Sequence, residues 1–381
     1  MAADAANWLL GNDGRRPADK PWLMAVNFVN PHDIMFFDAT GTMAQERLDP
    51  IRVAPMKPEP YSAIYAEKLE LELPTNFEDD LSTKPSAHRD DQRFADIMFG
   101  ALPQENQDAW LNHRNYYYNC IRDVDRHIGC VLDALEKSGQ ADNTIVLFTS
   151  DHGEMAGSHG MRQKGPSMYK ENVRVSLLID HPDISQPLET ESLGTSIDIA
   201  PTLLSLSGVI ATDIETRWPA LKGVSLEPAL SYQTTARDER GMLLNYTTTL
   251  TWDTELIATL FAGQVRGEFT DAEKARLGQG FSLDNYSCFR GIHEGRYKFA
   301  RYFKPSEHHQ PADWETLTQH NELELYDTEQ DPDELVNLAS NAESHKPLIT
   351  ELNAKLNTLI DTEIGVDDGS CYPPGSNYQL Q

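Results

Sequence analysis

Asn143-Thr144-Ile145-Val146-Leu147-Phe148-Thr149-Ser150-Asp151-His152-Gly153-Glu154 is the stretch on which the fold of this chain turns. Residues 144–149 are almost wholly apolar, too short a run for a helix, and lack the polar alternation of a half-exposed strand. Such a run predicts a strand covered on both faces, as in a parallel sheet. It ends at once on a carboxylate and an imidazole. In open α/β sheets, ligands bind just beyond the carboxyl ends of the strands. Asp151 and His152 therefore stand where metal ligands or acid–base groups belong, and the pair suits a divalent cation. A loop Asp capping a helix beside an exposed His is the plainer reading, and position alone leaves both open.

Two more apolar runs of strand length flank this one, WLMAVNFV at 22–29 and VSLLI at 175–179. Between the first two, Tyr117, Ile121, Val124, Ile128, Val131 and Leu135 fall at helical spacing, and Gly139 follows as a stop. Another helix is predicted from Ile199 to Ser207, with Pro201 in its first turn and Gly208 after it. Strands alternating with helices predict a layered α/β domain with a mostly parallel sheet sandwiched by helices. Residues 33–107 are rich in Pro, Asp and Glu and read as an excursion with short helices over the substrate side. Beyond residue 286 the pattern changes. Phe289–His293 and Arg296–Phe303 flank Glu294-Gly295 as a hairpin, a short strand covers Glu324–Tyr326, and Leu348, Leu352, Leu356 and Leu359 mark a last helix. The expected division is a catalytic α/β domain over 1–285, a small α+β subdomain over 286–364, and a loose tail over 365–381.

Composition narrows the function. The 381 residues carry 32 Lys and Arg against 60 Asp and Glu, a net charge of −28. That surface argues against nucleic acid and anionic membranes, and it gives an anionic substrate no long-range help. An anion site must therefore be built locally, from a metal and a few cations. Cys120, Cys130, Cys288 and Cys371 form no metal-ligand spacing, and no apolar run approaches a membrane span. The chain opens in a helical pattern, Ala2–Leu10, without a signal-peptide pattern.

Two further signals point to the same chemistry. The run 22–29 leads into Asn30-Pro31-His32-Asp33, which puts His32 at a strand end. An imidazole, ordinarily of pKa about 6.5, suits proton donation to a leaving group or contact with an oxyanion. After the Asp-His pair come Gly157-Ser158-His159-Gly160 and Met161-Arg162-Gln163-Lys164-Gly165-Pro166. Lys164 is a compact charge on a long stem, fit for a sulfate or phosphate oxygen, and Arg162 is a possible second cation. His159 either lines the same pocket or holds the glycine-rich turn. Each residue alone has a bland reading: a turn His, a solvated Lys. Together they fit attack on a sulfate or phosphate ester, where metal and cations neutralise non-bridging oxygens and an acid protonates the leaving oxygen.

These stretches resemble the sulfatase family of the alkaline phosphatase superfamily. NTIVLFTSDHGEMAGSHGMRQKGPSMYKENVRVSLLI (143–179) is similar to the family's Asp-His strand and the Lys-Gly segment after it. PWLMAVNFVNPHD (21–33), YYYNCIRDVDRHIG (116–129), SIDIAPTLLSLSGV (196–209), RGIHEGRYKFARYF (290–303) and ELYDTEQDPDELVNLA (324–339) resemble further family blocks, in order. Residues 246–285 match none of them. The resemblance implies an alkaline-phosphatase-like fold and metal-assisted hydrolysis of a small-molecule or carbohydrate sulfate ester. It makes Asp151 and His152 metal ligands, Lys164 the holder of the sulfate group, and His32 the histidine near the leaving-group oxygen. The metal is usually Ca²⁺, and His152 leaves room for Mn²⁺ or Zn²⁺. Lys170 and Ser176 depart from the family's usual Glu and Pro. The family's opening Asp-Asp strand and its Cys- or Ser-x-Pro-x-Arg, source of the formylglycine nucleophile, have no counterpart here. Cys371-Tyr372-Pro373-Pro374 lacks the Arg. The expectation is an N-terminally truncated sulfatase, inactive by itself. A phosphonate monoester or phosphodiester hydrolase of the same superfamily, or an inert remnant, are the alternatives.

Overall fold

The computed structural model describes residues 1–17, 19–41, 63–247 and 253–367. Cys371 and most of the expected tail lie outside them. The chain forms two compact units, each discontinuous in sequence: residues 1–77, 95–163 and 174–187, and residues 78–94, 164–173 and 188–381.

The first unit is organised by helices α1 (Ala2–Leu9) and α2 (Gln107–Lys137). With 31 residues, α2 is about 46 Å long. The Asn106 side chain caps its start by accepting from Ala109 N, and Asp108 and Lys137 complement the helix dipole at the two ends. Near its start, Trp110, Tyr116 and Cys120 pack with Ile34, Phe37, Phe77 and Leu102. Near its end, Ala134 and Leu135 pack with Leu9, Trp22, Met24 and Val146. The most buried face of α2 is not the apolar stripe seen in the sequence, since Ile121 is exposed. It includes Asn115 and Asn119, whose amides bond Leu69 N and Glu67 O. Those bonds tie the backbone at 67–69 to the helix.

Among the described residues, this unit has two strands, β1 (Val146–Thr149) and β2 (Leu177–Asp180). They pair antiparallel, Val146 opposite Asp180 and Thr149 opposite Leu177. Parallel pairing, expected from their apolar character, is not found among the described residues. The connection between them holds two short helices, Ser158–Gly160 and Lys170–Val173, and no long crossover helix. Among the described residues, the run at 22–29, an expected strand, pairs with no other strand. Its residues alternate between half-buried and exposed. Trp22 and Met24 face the helices, while Leu23 is 85% exposed. A single extended run has no ladder without a neighbour to receive its hydrogen bonds.

The second unit contains a four-stranded antiparallel sheet in sequence order: β3 (Met242–Tyr246), β4 (Cys288–His293), β5 (Tyr297–Phe303) and β6 (Glu322–Asp327). The β4–β5 turn uses Gly295 at φ +93°, a left-handed conformation that suits glycine. Helix α3 (Lys346–Leu359) lays Ile349, Leu352, Leu356 and Leu359 on Ile292, Phe299 and Leu325. The helix expected near Ile199–Ser207 runs from Ile199 to Leu206. Beside it, the buried Arg237 guanidinium bonds both oxygens of Asp198 and reaches Glu363. Within 246–285 lie helices Thr254–Arg266 and Asp271–Leu277, capped by Asp253 and Thr270.

Candidate functional site

Strand β1 delivers Asp151 and His152 to the surface, as its sequence predicts. Asp151 is 85% exposed at its side chain and His152 34%. The loop orients itself. Ser150 Oγ donates to His152 O at 2.9 Å, and His152 N donates to Asp151 Oδ1 at 3.1 Å. His152 Nδ1 lies 2.8 Å from Gly153 O. A carbonyl can only accept, so Nδ1 carries the proton. In the neutral ring, Nε2 then keeps its lone pair, 3.5 Å from Asp151 Oδ2. One ring nitrogen is thus fixed by a carbonyl and the other faces a carboxylate.

The loop that follows is tightly closed. Met155 N bonds Gln163 O at 3.0 Å, Gly157 N bonds Met161 O at 2.8 Å, and Glu154 Oε1 accepts from Gln163 N at 2.5 Å. Ala156, Gly157, His159, Gly160 and Gln163 all have positive φ. Such backbone persists only where its surroundings fix it. Two candidate residues are among those fixtures. His159 is fully buried, and its Nε2 accepts from Asn76 Nδ2 at 3.0 Å. Arg162 is buried, and its guanidinium bonds Asp96 Oδ1 at 3.0 Å, Ala95 O at 3.1 Å and Gly100 O. Neither presents its group on the surface. His159 and Arg162 hold the turn from within. Glu154, Asn76 and Asp96, which do this with them, drew no role from the sequence. Glu154 stood inside the quoted motif, whereas Asn76 and Asp96 come from stretches without periodicity.

His32 lies where 22–29 turns into the short helix His32–Phe36, and it is exposed. Its backbone N bonds Val29 O at 2.9 Å, and its ring lies 6.2 Å from that of Phe36. Lys164 opens a segment of the second unit and is half-buried. Among the described residues it makes no ion pair within 4 Å. The residues after it, Gly165 to Tyr169, are all buried.

A sequence model of the family described as Sulfatase matches residues 1–209. The chain belongs to the sulfatase family. An uncharacterized sulfatase of Escherichia coli K12, YidJ, is 32% identical over 197 residues, 52% of this chain and 34% of that protein. An N-acetylglucosamine-6-O-sulfatase of Bacteroides thetaiotaomicron is 36% identical over 144 residues, 36% of this chain and 24% of that protein. The matched stretches thus take in about a third or less of these relatives. Among solved structures, a 2-O GAG sulfatase superposes with a TM-score of 0.64 at 22% identity, over 98% of this chain and 64% of that one. A phosphonate monoester hydrolase of Agrobacterium radiobacter gives 0.57 at 20% identity, over 97% and 62%. Both show the shared α/β fold.

Sulfatases in general use a divalent metal. Asp151 gives an exposed carboxylate and His152 an imidazole with one nitrogen available. Among the described residues, no three His, Cys, Asp or Glu side chains gather closely enough to hold an ion. The two donors at the end of β1 are fewer than a complete cation shell requires.

Proposed function

We propose that this chain carries the sulfate-holding groups and two metal ligands of a sulfuric ester hydrolase. The observation that supports it is the end of β1, where the Gly153 carbonyl fixes the His152 ring and leaves Nε2 beside Asp151. Asp151 and His152 would hold the divalent cation, whose chemistry is to withdraw charge from a sulfate oxygen. Lys164 neutralises a non-bridging oxygen. His32, exposed and with its backbone held by Val29, donates a proton to the leaving alcohol oxygen. A family sulfatase also needs a nucleophile made from Cys or Ser in the Cys- or Ser-x-Pro-x-Arg pattern. The 381 residues contain no such pattern, so their share of the reaction is to bind and polarise the sulfate group.

Calorimetry of inorganic sulfate with the chain tests this. Lys164→Ala weakens sulfate binding about tenfold or more, and His32→Ala preserves binding to within a few-fold, because its proton goes to the leaving oxygen. Where a nucleophile is present, each substitution lowers aryl sulfate turnover by about 10²-fold. Wild-type sulfate affinity in Lys164→Ala would overturn the assignment. An aryl phosphonate ester, assayed in parallel, separates the two chemistries that share this fold; preference for phosphonate selects the alternative. With only Asp151 and His152 as donors, Ca²⁺ binds more weakly than about 1 μM. Submicromolar Ca²⁺ binding by calorimetry would mean that further ligands complete the shell.

A further inference from the structure

We infer that the buried Lys298–Glu334 ion pair, together with Asn172, is a positioning device for Lys164, fixing the backbone from which that ammonium projects. The inference rests on the sulfate-holding role proposed for Lys164.

The residues that follow Lys164 have little freedom. Ser167 N bonds Gly165 O at 2.8 Å, closing a tight turn. The buried Asn172 amide donates to Gly165 O at 2.9 Å, to Ser167 O at 2.8 Å and to Ser167 Oγ at 3.2 Å. Behind the turn stands helix Ser86–Phe99, whose Asp91 leaves Gly165 no room for a side chain: a Cβ there would lie 2.3 Å from Asp91 Oδ2. Lys298, on β5, sends its ammonium to Met168 O at 3.1 Å and to Glu334 Oε1 at 2.6 Å. The other carboxylate oxygen, Glu334 Oε2, accepts from Lys170 N at 2.7 Å. One ion pair thus grips the main chain on both sides of Tyr169, whose hydroxyl lies 3.1 Å from His88 Nδ1.

Stability alone is a poor reason for this pair. A buried ion pair seldom outperforms well-packed apolar groups of the same volume. Both side chains are almost wholly buried, 4% and 1% exposed. Glu334 also sits at φ +55°, an unfavourable backbone for a residue with a Cβ. What the charges provide is direction: each has a second bond to the backbone of one segment. That segment begins with a cation that must meet a small anion. An ammonium displaced by about 1 Å from its anion loses much of the interaction, so the pair acts on binding through Lys164.

A double-mutant cycle read as affinity for inorganic sulfate tests the inference, using the full chain and calorimetry. Lys164→Ala and Glu334→Gln each weaken sulfate binding about tenfold, Asn172→Ala weakens it in the same direction, and Lys164→Ala/Glu334→Gln is no weaker than the worse single variant. A purely structural role would lower thermal stability and leave sulfate affinity alone. Glu334→Gln and Asn172→Ala binding within twofold of wild type, with Lys164→Ala weakened, would overturn the positioning role while keeping the Lys164 assignment. Losses that multiply in the double variant would overturn it too. Wild-type affinity in Lys164→Ala, or no sulfate binding by the wild-type chain, would instead overturn the Lys164 assignment and this inference with it. Should Glu334→Gln fail to fold, Lys298→Met/Glu334→Leu, which removes both charges together, takes its place in the cycle.

Discussion

His152 and His113 show how one residue type is turned to different ends by its surroundings. His152 keeps contact with water and has one ring nitrogen held by a carbonyl. His113, on α2, is buried beside Arg162 and Arg114. Burial first, and those two cations after it, push its pKa down to about 3. Its folded pKa thus lies below the unfolded value of about 6.5, so no stability depends on this group above pH 6.5. As pH falls from there towards 3, the unfolded chain takes up a proton that the folded chain refuses. Stability is lost at up to about 1.4 kcal/mol per pH unit. Urea midpoints of the wild type therefore fall between pH 6.5 and 4, and His113→Gln flattens that fall. An unchanged slope in the variant would remove His113 as the cause. The sequence could not separate these histidines, nor Arg162 from Lys164, two positions apart. Burial of Arg162 depends on Asp96, which is remote in sequence. The Lys at 170, a departure from the family's usual Glu, is explained by local pairing: its ammonium meets Asp333 at 2.9 Å and Pro332 O at 2.5 Å.

At the scale of elements, the apolar run before Asp151 placed a strand that ends just ahead of the Asp-His pair. The hairpin β4–β5 was legible from the Glu294-Gly295 turn between two apolar runs, and helix α3 from leucines that record one buried face. The run at 22–29 was equally apolar and formed no strand, because pairing is a property of two segments and sequence reports one. The loop 153–163 was invisible as a structure. Its positive-φ positions include Ala156, His159 and Gln163, residues that carry no left-handed signal and are held there by tertiary bonds. Arg162 supplies three of those bonds. Arg162→Met leaves the Ala95 and Gly100 carbonyls without that donor and should destabilise the first unit by about 2–4 kcal/mol. Guanidinium chloride unfolding followed by tryptophan fluorescence checks this; a loss under about 0.5 kcal/mol would mean the loop is fixed by Glu154 and Asn76 without the arginine.

The whole molecule sets the conditions in which any local anion site must act. Family blocks were readable in order along the chain. The two compact units were not, because each is assembled from separated segments and contiguity was the only guide the sequence offered. Net charge, by contrast, needed no structure. A molecule at −28 repels a sulfate dianion at long range, while Lys164 would attract it only at contact. These two effects respond differently to salt. The screening length is about 30 Å at 0.01 M ionic strength and about 8 Å at 0.15 M. Raising NaCl over that range removes most of the repulsion from distant carboxylates, yet leaves a contact of about 3 Å largely intact. Sulfate should therefore bind more tightly at 0.15 M NaCl than at 0.01 M, the reverse of a protein that steers anions inwards. Calorimetry across that range decides it. A steady weakening from the lowest salt upward would mean that the field around the site is positive despite the acidic whole, and that cations beyond Lys164 take part.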